Sequence, residues 1–211
     1  RGISVVGGAD ITIRDNRIAR TTLAAGVLLA REASYLTWGV SNVLVQGNTI
    51  SQVQTTLPAY VPAGWPSTVT RTGHAGIEIH AFAFDDERLY PALTSSLAVQ
   101  DVRIERGSVA DTAANGVRIG EGSGVFSTLT ATRTDGSSLS RRYSGGDVGR
   151  ISLSGIALSG TGARALAIKN QPTEAYNVHC EGLTNQGAPL TDAACSGAAP
   201  AVTGSSMACG G

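Results

Sequence analysis

The chain predicts an all-β solenoid of about five coils, and three observations carry that prediction. A nine-residue phrase, NVLVQGNTI at 42–50, alternates apolar and polar residues, breaks at Gly47-Asn48 and resumes at Ile50, which is a strand, a corner and a second strand. The phrase recurs at 10–18, 101–109, 150–158 and 175–183, with apolar residues at its second, fourth and ninth places. A shorter phrase, a small residue followed by apolar-x-apolar, stands at 2–5, 26–29, 76–79, 116–119 and 165–168. The two alternate strictly, and recurrence of one supersecondary unit marks stacked repeats.

Spacing supports the same reading. From the long phrase to the next short one there are 16 residues (Ile11 to Val27) or 15 (Val102 to Val117, Ile151 to Leu166). Val43 to Ile77 stretches to 34. Stacked strands must stay in register at about 4.8 Å, whereas loops leaving the stack are free to lengthen. The insertions are 31–41, 51–74, 81–96 and 121–149; the Ser/Thr/Gly/Arg-rich stretch 128–147 reads as a surface loop or flap, and 81–93 as a short helix. The coils are expected over 1–183, with a Gly/Ala/Ser-rich tail or cap over 184–211.

Composition narrows the function classes. Lys plus Arg and Asp plus Glu are both 16, so no basic field exists to hold a nucleic acid or an anionic membrane, and neither is expected as a partner. No apolar run approaches the roughly 20 residues of a spanning helix. The three cysteines, Cys180, Cys195 and Cys209, lie in the last 32 residues without metal-site spacing. One disulfide stapling the tail is expected instead, which implies an oxidising compartment, secreted or periplasmic. The chain begins in a strand pattern, so an N-terminal region of the same protein or another chain is expected to cap the first coil.

The pairing of G-I-x-I with N-V-x-V-x-x-N-x-I, seen as AGVLLA and then NVLVQGNTI, resembles the right-handed parallel β-helix repeat of the pectate-lyase-like superfamily. The resemblance runs from Gly2 to about Leu183. It implies a corner asparagine, present as Asn16 and Asn48, tolerant of left-handed backbone and able to stack its amides. Gly107 substitutes for it, whereas Ile156 and Glu181 do not, so the later coils are expected to turn differently. It also implies that the short strands form a sheet whose outer face carries substrate, and the fold hosts lyases, hydrolases, epimerases, tailspikes and adhesins.

Alternation sends Ile77 and Ile79 into the core and Glu78 and His80 outward. The outward columns are Ser4, Leu28, Glu78, Arg118, Ala167 and Val6, Ala30, His80, Gly120, Lys169. Glu78 then suits a general acid or base beside Arg118 and His80, or else a cross-strand ion pair with Arg118. Asp85 and Asp86 are placed to face Glu78 across a water, as inverting glycoside hydrolysis requires, or to sit in a solvated turn. Glu32, Tyr35 and Trp38 follow the preceding short strand, and aromatic rings beside a polar strand face suit sugar stacking; burial of Trp38 on the flank is the alternative. Tyr60, Trp65, His74 and Tyr90 stand in the larger insertions as further cleft candidates, and Lys169 as a ligand for an acidic sugar.

The expectation is a carbohydrate-active protein hydrolysing a polysaccharide with Glu78, Asp85 and Asp86, substrate being positioned by Glu32, Trp38, His80, Arg118 and Lys169. A uronate-polymer lyase and a non-catalytic adhesin- or tailspike-like glycan-binding shaft are the alternatives. The polygalacturonase-like elements are echoed only by Gly73-His74-Ala75-Gly76 and Asp85-Asp86, out of order. The pectate-lyase calcium cluster and a nucleophile elbow are absent, so no metal and no cofactor are expected.

Overall fold

The computed structural model describes residues 2–56, 73–87, 96–120, 127–132, 134–169, 177–190, 193–196 and 201–203. They form an all-β structure of parallel sheets, compatible with a solenoid. The first sheet runs β1 (Ile3–Val6), β4 (Val27–Arg31), β7 (Ile77–Phe84), β10 (Val117–Ile119), β15 (Leu166–Lys169) and β19 (Ala193–Ser196). The second runs β2 (Gly8–Arg14), β5 (Val40–Gln46), β8 (Val99–Glu105), β13 (Val148–Ser154), β16 (Asn177–Glu181) and β20 (Ala201–Thr203). The third runs β3 (Arg17–Ala19), β6 (Thr49–Val53), β9 (Ser108–Thr112), β14 (Ala157–Thr161) and β17 (Thr184–Asn185), with β18 (Ala188–Pro189) antiparallel to β17. Each sheet takes one strand from each pass of the chain. β17, β19 and β20 lie beyond residue 183 and extend the same three sheets.

The inward residues of the three sheets make one core, from Val5 and Ile13 through Ile50, Ile79, Ile104 and Leu153 to Leu190. Glycine opens four of the short strands, at Gly2, Gly26, Gly76 and Gly116, because no room exists there for a Cβ. A Cβ on Gly76 would strike Val109 Cγ1 and stand 2.8 Å from the carbonyl oxygen of Gly116 in the next pass. Gly76→Ala is therefore expected to cost about 1–3 kcal/mol in urea unfolding, the range for overpacking; an unchanged midpoint would refute this packing argument.

The corner works differently from the expectation. The left-handed residue is the one before the asparagine: Asp15, Gly47, Arg106, Gly155 and Gly182 have φ between 51° and 63°. The same backbone bond recurs along the stack, Asp15 N to Gln46 O, Gly47 N to Glu105 O, Arg106 N to Ser154 O and Gly155 N to Glu181 O. The later coils thus turn as the earlier ones do. What changes is the side chain after the corner, an amide in Asn16 and Asn48 and buried hydrocarbon in Ile156 and Leu183. The amides do stack: Asn16 Nδ2 donates to Asn48 Oδ1 at 2.9 Å, and Asn48 Nδ2 donates to Ile13 O at 2.8 Å.

The fifth copy of the long phrase is displaced by two residues from the expected register. Val178 pairs with Ile151 and Cys180 with Leu153, so the copy starts at Asn177. Cys180 fills an apolar core slot, free and buried, and burial pushes its thiol up to about 12. It therefore takes no part in the expected disulfide; the Cys195 side chain and Cys209 lie outside the described residues.

Two insertions also depart from expectation. Ala81 to Phe84 does not start a helix but continues β7. Part of 121–149 is an antiparallel hairpin, β11 (Ser127–Thr132) and β12 (Ser138–Gly145), and β12 pairs antiparallel with the end of β7, Tyr143 opposite Phe84. Among the described residues no helix is long and apolar enough to cross a membrane.

Candidate functional site

The outward columns form in the register read from the sequence: Ser4, Leu28, Glu78, Arg118 and Ala167 are successive partners, as are Val6, Ala30 and His80. Parallel pairing of β7 with β10 brings Glu78 beside Arg118. Glu78 points away from the main core as alternation requires, yet it is 0% exposed, so it is not an open acid on a sheet face. Its carboxylate is the hub of a charge cluster. Oε1 accepts from Arg118 Nη2 and, at 3.1 Å, from His80 Nδ1. Oε2 accepts from His74 Nδ1 at 2.8 Å and from the Ala75 amide at 3.3 Å.

Burial alone would raise the Glu78 carboxyl, but hydrogen bonds from His74 and His80 and the Arg118 charge outweigh it and hold the group well below the usual carboxylate range. His80 is clasped on both sides, with Nε2 3.2 Å from Glu32 Oε1. Burial opposes its charge, yet the bonds to Glu32 and Glu78 lift it to about 9, so at neutral pH both nitrogens donate. Its raised value means its stabilising contribution is complete below its ordinary value near 6.5 and is lost as pH rises through about 9. Thermal midpoints are accordingly expected to fall between pH 7 and 10, and the fall should shrink in His80→Gln; an equal fall in both proteins would contradict the clasp.

Asp85 and Asp86 lie in the turn after β7 and do not face Glu78. The six residue steps from Glu78 to Phe84 span roughly 20 Å of strand, against the roughly 6.5–9.5 Å that separates paired carboxylates in inverting hydrolysis. Both are exposed and have arginine partners from β12. Asp86 takes a two-pronged bond from Arg141 at 2.6 and 3.1 Å, which lowers its carboxyl, and Asp85 lies 3.9 Å from Arg142. The neighbouring Glu87 turns inward, accepting from Arg31 Nη2 at 2.8 Å and from the Phe84 amide at 2.9 Å.

Arg31, at the end of β4, is 2% exposed and ties the following loop to β7. Its Nε donates to Thr37 O at 3.1 Å and its Nη1 to Phe82 O. The Glu32 amide adds a bond to Thr37 Oγ1 at 2.9 Å. This clamped loop, with a single 3₁₀ turn at Ala33–Tyr35, carries Tyr35 at 73% and Trp38 at 65% exposure. Trp38 is not a flank cover. It borders a groove of about 640 Å³ whose lining includes Val6, Gly8, Thr37, Ser96 and Gln100.

The residues brought together are thus Glu32, Glu78, His80 and Arg118, with His74 added, while Trp38 lines the groove beside Val6 and Gly8. Lys169 pairs through its backbone with Ser196 in β19, and its side chain lies outside the described residues, as do Tyr60, Trp65 and Tyr90. Among the described residues no group of His, Cys, Asp and Glu could hold a metal ion. The chain matches no protein-family model, and no curated protein and no solved structure is significantly similar to it.

Proposed function

We propose that the chain is a right-handed parallel β-helix of the pectate-lyase-like kind, exported from the cell, whose short-strand face and flanking loops act on a polysaccharide. The observation that carries this reading is the exposure of Trp38 and Tyr35 on a loop held by buried Arg31. Exposed rings on a rigid support lose little freedom when a pyranose stacks on them, which suits glycan binding. Affinity electrophoresis against a panel of neutral and uronate polysaccharides tests it. Retardation by at least one polymer is expected, with affinity falling about tenfold in Trp38→Ala, the equivalent of roughly 1.4 kcal/mol, and the unfolding midpoint unchanged. No retardation across the panel, or equal retardation of the variant, would remove the reading.

The charge cluster favours elimination over hydrolysis as the bond-breaking chemistry. Glycoside hydrolysis needs a protonated acid at the leaving oxygen, a carboxyl with a raised pKa. Glu78 and Asp86 are both shifted the opposite way, and the strand length keeps Asp85 and Asp86 from partnering Glu78. A site equipped with a base but without such an acid can cleave a glycosidic bond when the proton removed is acidified by a neighbouring carboxyl, which points to uronate or uronate-ester units as substrate.

A further inference from the structure

Two histidines share the one buried carboxylate, and their surroundings give them different capacities. His80 has Glu78 on Nδ1 and Glu32 on Nε2, so both its nitrogens are donors and neither can accept a proton. His74 has Glu78 on Nδ1 alone; among the described residues its Nε2 makes no hydrogen bond, and its side chain is 27% exposed. Because an ionised carboxylate only accepts, the 2.8 Å contact fixes the proton of neutral His74 on Nδ1 and leaves the Nε2 lone pair directed elsewhere. The backbone at this point is also pinned: the His74 amide donates to Gln54 Oε1 at 2.9 Å, and Arg118 Nη1 donates to the neighbouring Gly73 carbonyl at 3.4 Å.

We propose that His74 is the general base of this site, with Glu78 as its positioning residue and Arg118 and His80 holding Glu78 in place. The inference rests on the reading of the protein as acting on a uronate polymer. His74 Nε2 takes the proton from C5 of the uronate, the C5–H electron pair becomes the C4=C5 double bond, and the C4–O bond breaks. The departing oxygen keeps the electron pair of the broken C4–O bond and takes a proton from water, and the imidazolium returns its own proton to solvent. The charged groups around His74 are Glu78 on β7, Arg118 from β10, and His80 with Glu32 behind it on the far side of Glu78; Gln54, after β6, is neutral.

The test combines a kinetic and a spectroscopic readout on the whole chain with polygalacturonate and alginate as probes. His74→Gln is expected to lower kcat by about 10²–10⁴-fold with polymer binding and the unfolding midpoint retained, and added imidazole should restore part of the turnover of His74→Ala. Nitrogen-15 spectra should show neutral His74 protonated at Nδ1 and unprotonated at Nε2, with His80 protonated at both nitrogens at pH 7. Unreduced cleavage by His74→Gln, or a His74 proton found on Nε2, overturns the proposal. A wild-type chain that binds polyuronate without cleaving it overturns the base and leaves the glycan-binding reading standing. Failure to bind any polymer overturns both.

Discussion

Replacing Glu78 by alanine is expected to destabilise the chain by about 3–5 kcal/mol, the cost of removing one partner from a buried ion cluster. The carboxylate is wholly covered, and its loss leaves the Arg118 guanidinium and the His80 imidazolium facing each other without an intervening anion. The Ala75 amide loses an acceptor at the same time. His80 should answer by releasing its proton at lower pH, since one of the two carboxylates that lift it is gone. Glu78→Gln keeps the shape and some hydrogen bonds and should fall between wild type and Glu78→Ala. The sign at acid pH follows as well. Because the Glu78 carboxyl is lowered in the folded chain, its contribution is complete above its ordinary value and is lost as pH falls towards the lowered one, so the gap between the urea midpoints of wild type and Glu78→Ala should be narrower at pH 3 than at pH 7. A loss below about 1 kcal/mol at pH 7 would place Glu78 among surface ion pairs instead.

The second large effect is expected at Arg31. Arg31→Ala should also cost about 3–5 kcal/mol, because it removes the buried arginine that donates to Glu87 and leaves the Thr37 and Phe82 carbonyls short of a donor. The functional consequence separates it from Glu78. Arg31 holds the loop bearing Tyr35 and Trp38 against β7, so glycan retardation should weaken even though Arg31 itself never reaches solvent. The double variant Arg31→Met/Glu87→Met, which replaces the buried pair by hydrocarbon, should recover part of the stability without recovering the loop tie. Urea unfolding together with affinity electrophoresis checks both halves; retained binding in Arg31→Ala would show that the loop holds itself.

Much of this arrangement was legible in the residue pattern because stacking imposes it. Alternation in 76–79 and 116–119 placed Glu78 against Arg118 without any structure, since parallel register admits one partner per position. Burial was not legible. A solenoid face is open by default, and what encloses Glu78 depends on how inserted segments fold back, which carries no period. The same gap misplaced Asp85 and Asp86, because β7 runs on to Phe84 to meet the hairpin strand β12 where a helix was expected. The true partners of the acids, Arg141 and Arg142, come from a segment more than 50 positions later that the sequence marks only as Ser/Thr/Gly/Arg-rich. His74 was visible as part of Gly73-His74-Ala75-Gly76, and a signal for its contact with Glu78 existed: it stands four residues before Glu78 on the approach to the strand. The corner was misread by one position because asparagine and glycine both tolerate left-handed backbone, and only the φ values assign it to Gly47 rather than Asn48.

On the proposed reading this face carries a base, and neither Asp85 nor Asp86 stands opposite Glu78 as a hydrolytic partner. Incubating the wild-type chain with polygalacturonate and alginate, and following ultraviolet absorbance alongside reducing ends, tests it most directly. The prediction is that both rise together, the unsaturated product appearing with each new chain end. Reducing ends that appear without absorbance would mean hydrolysis and would contradict the account.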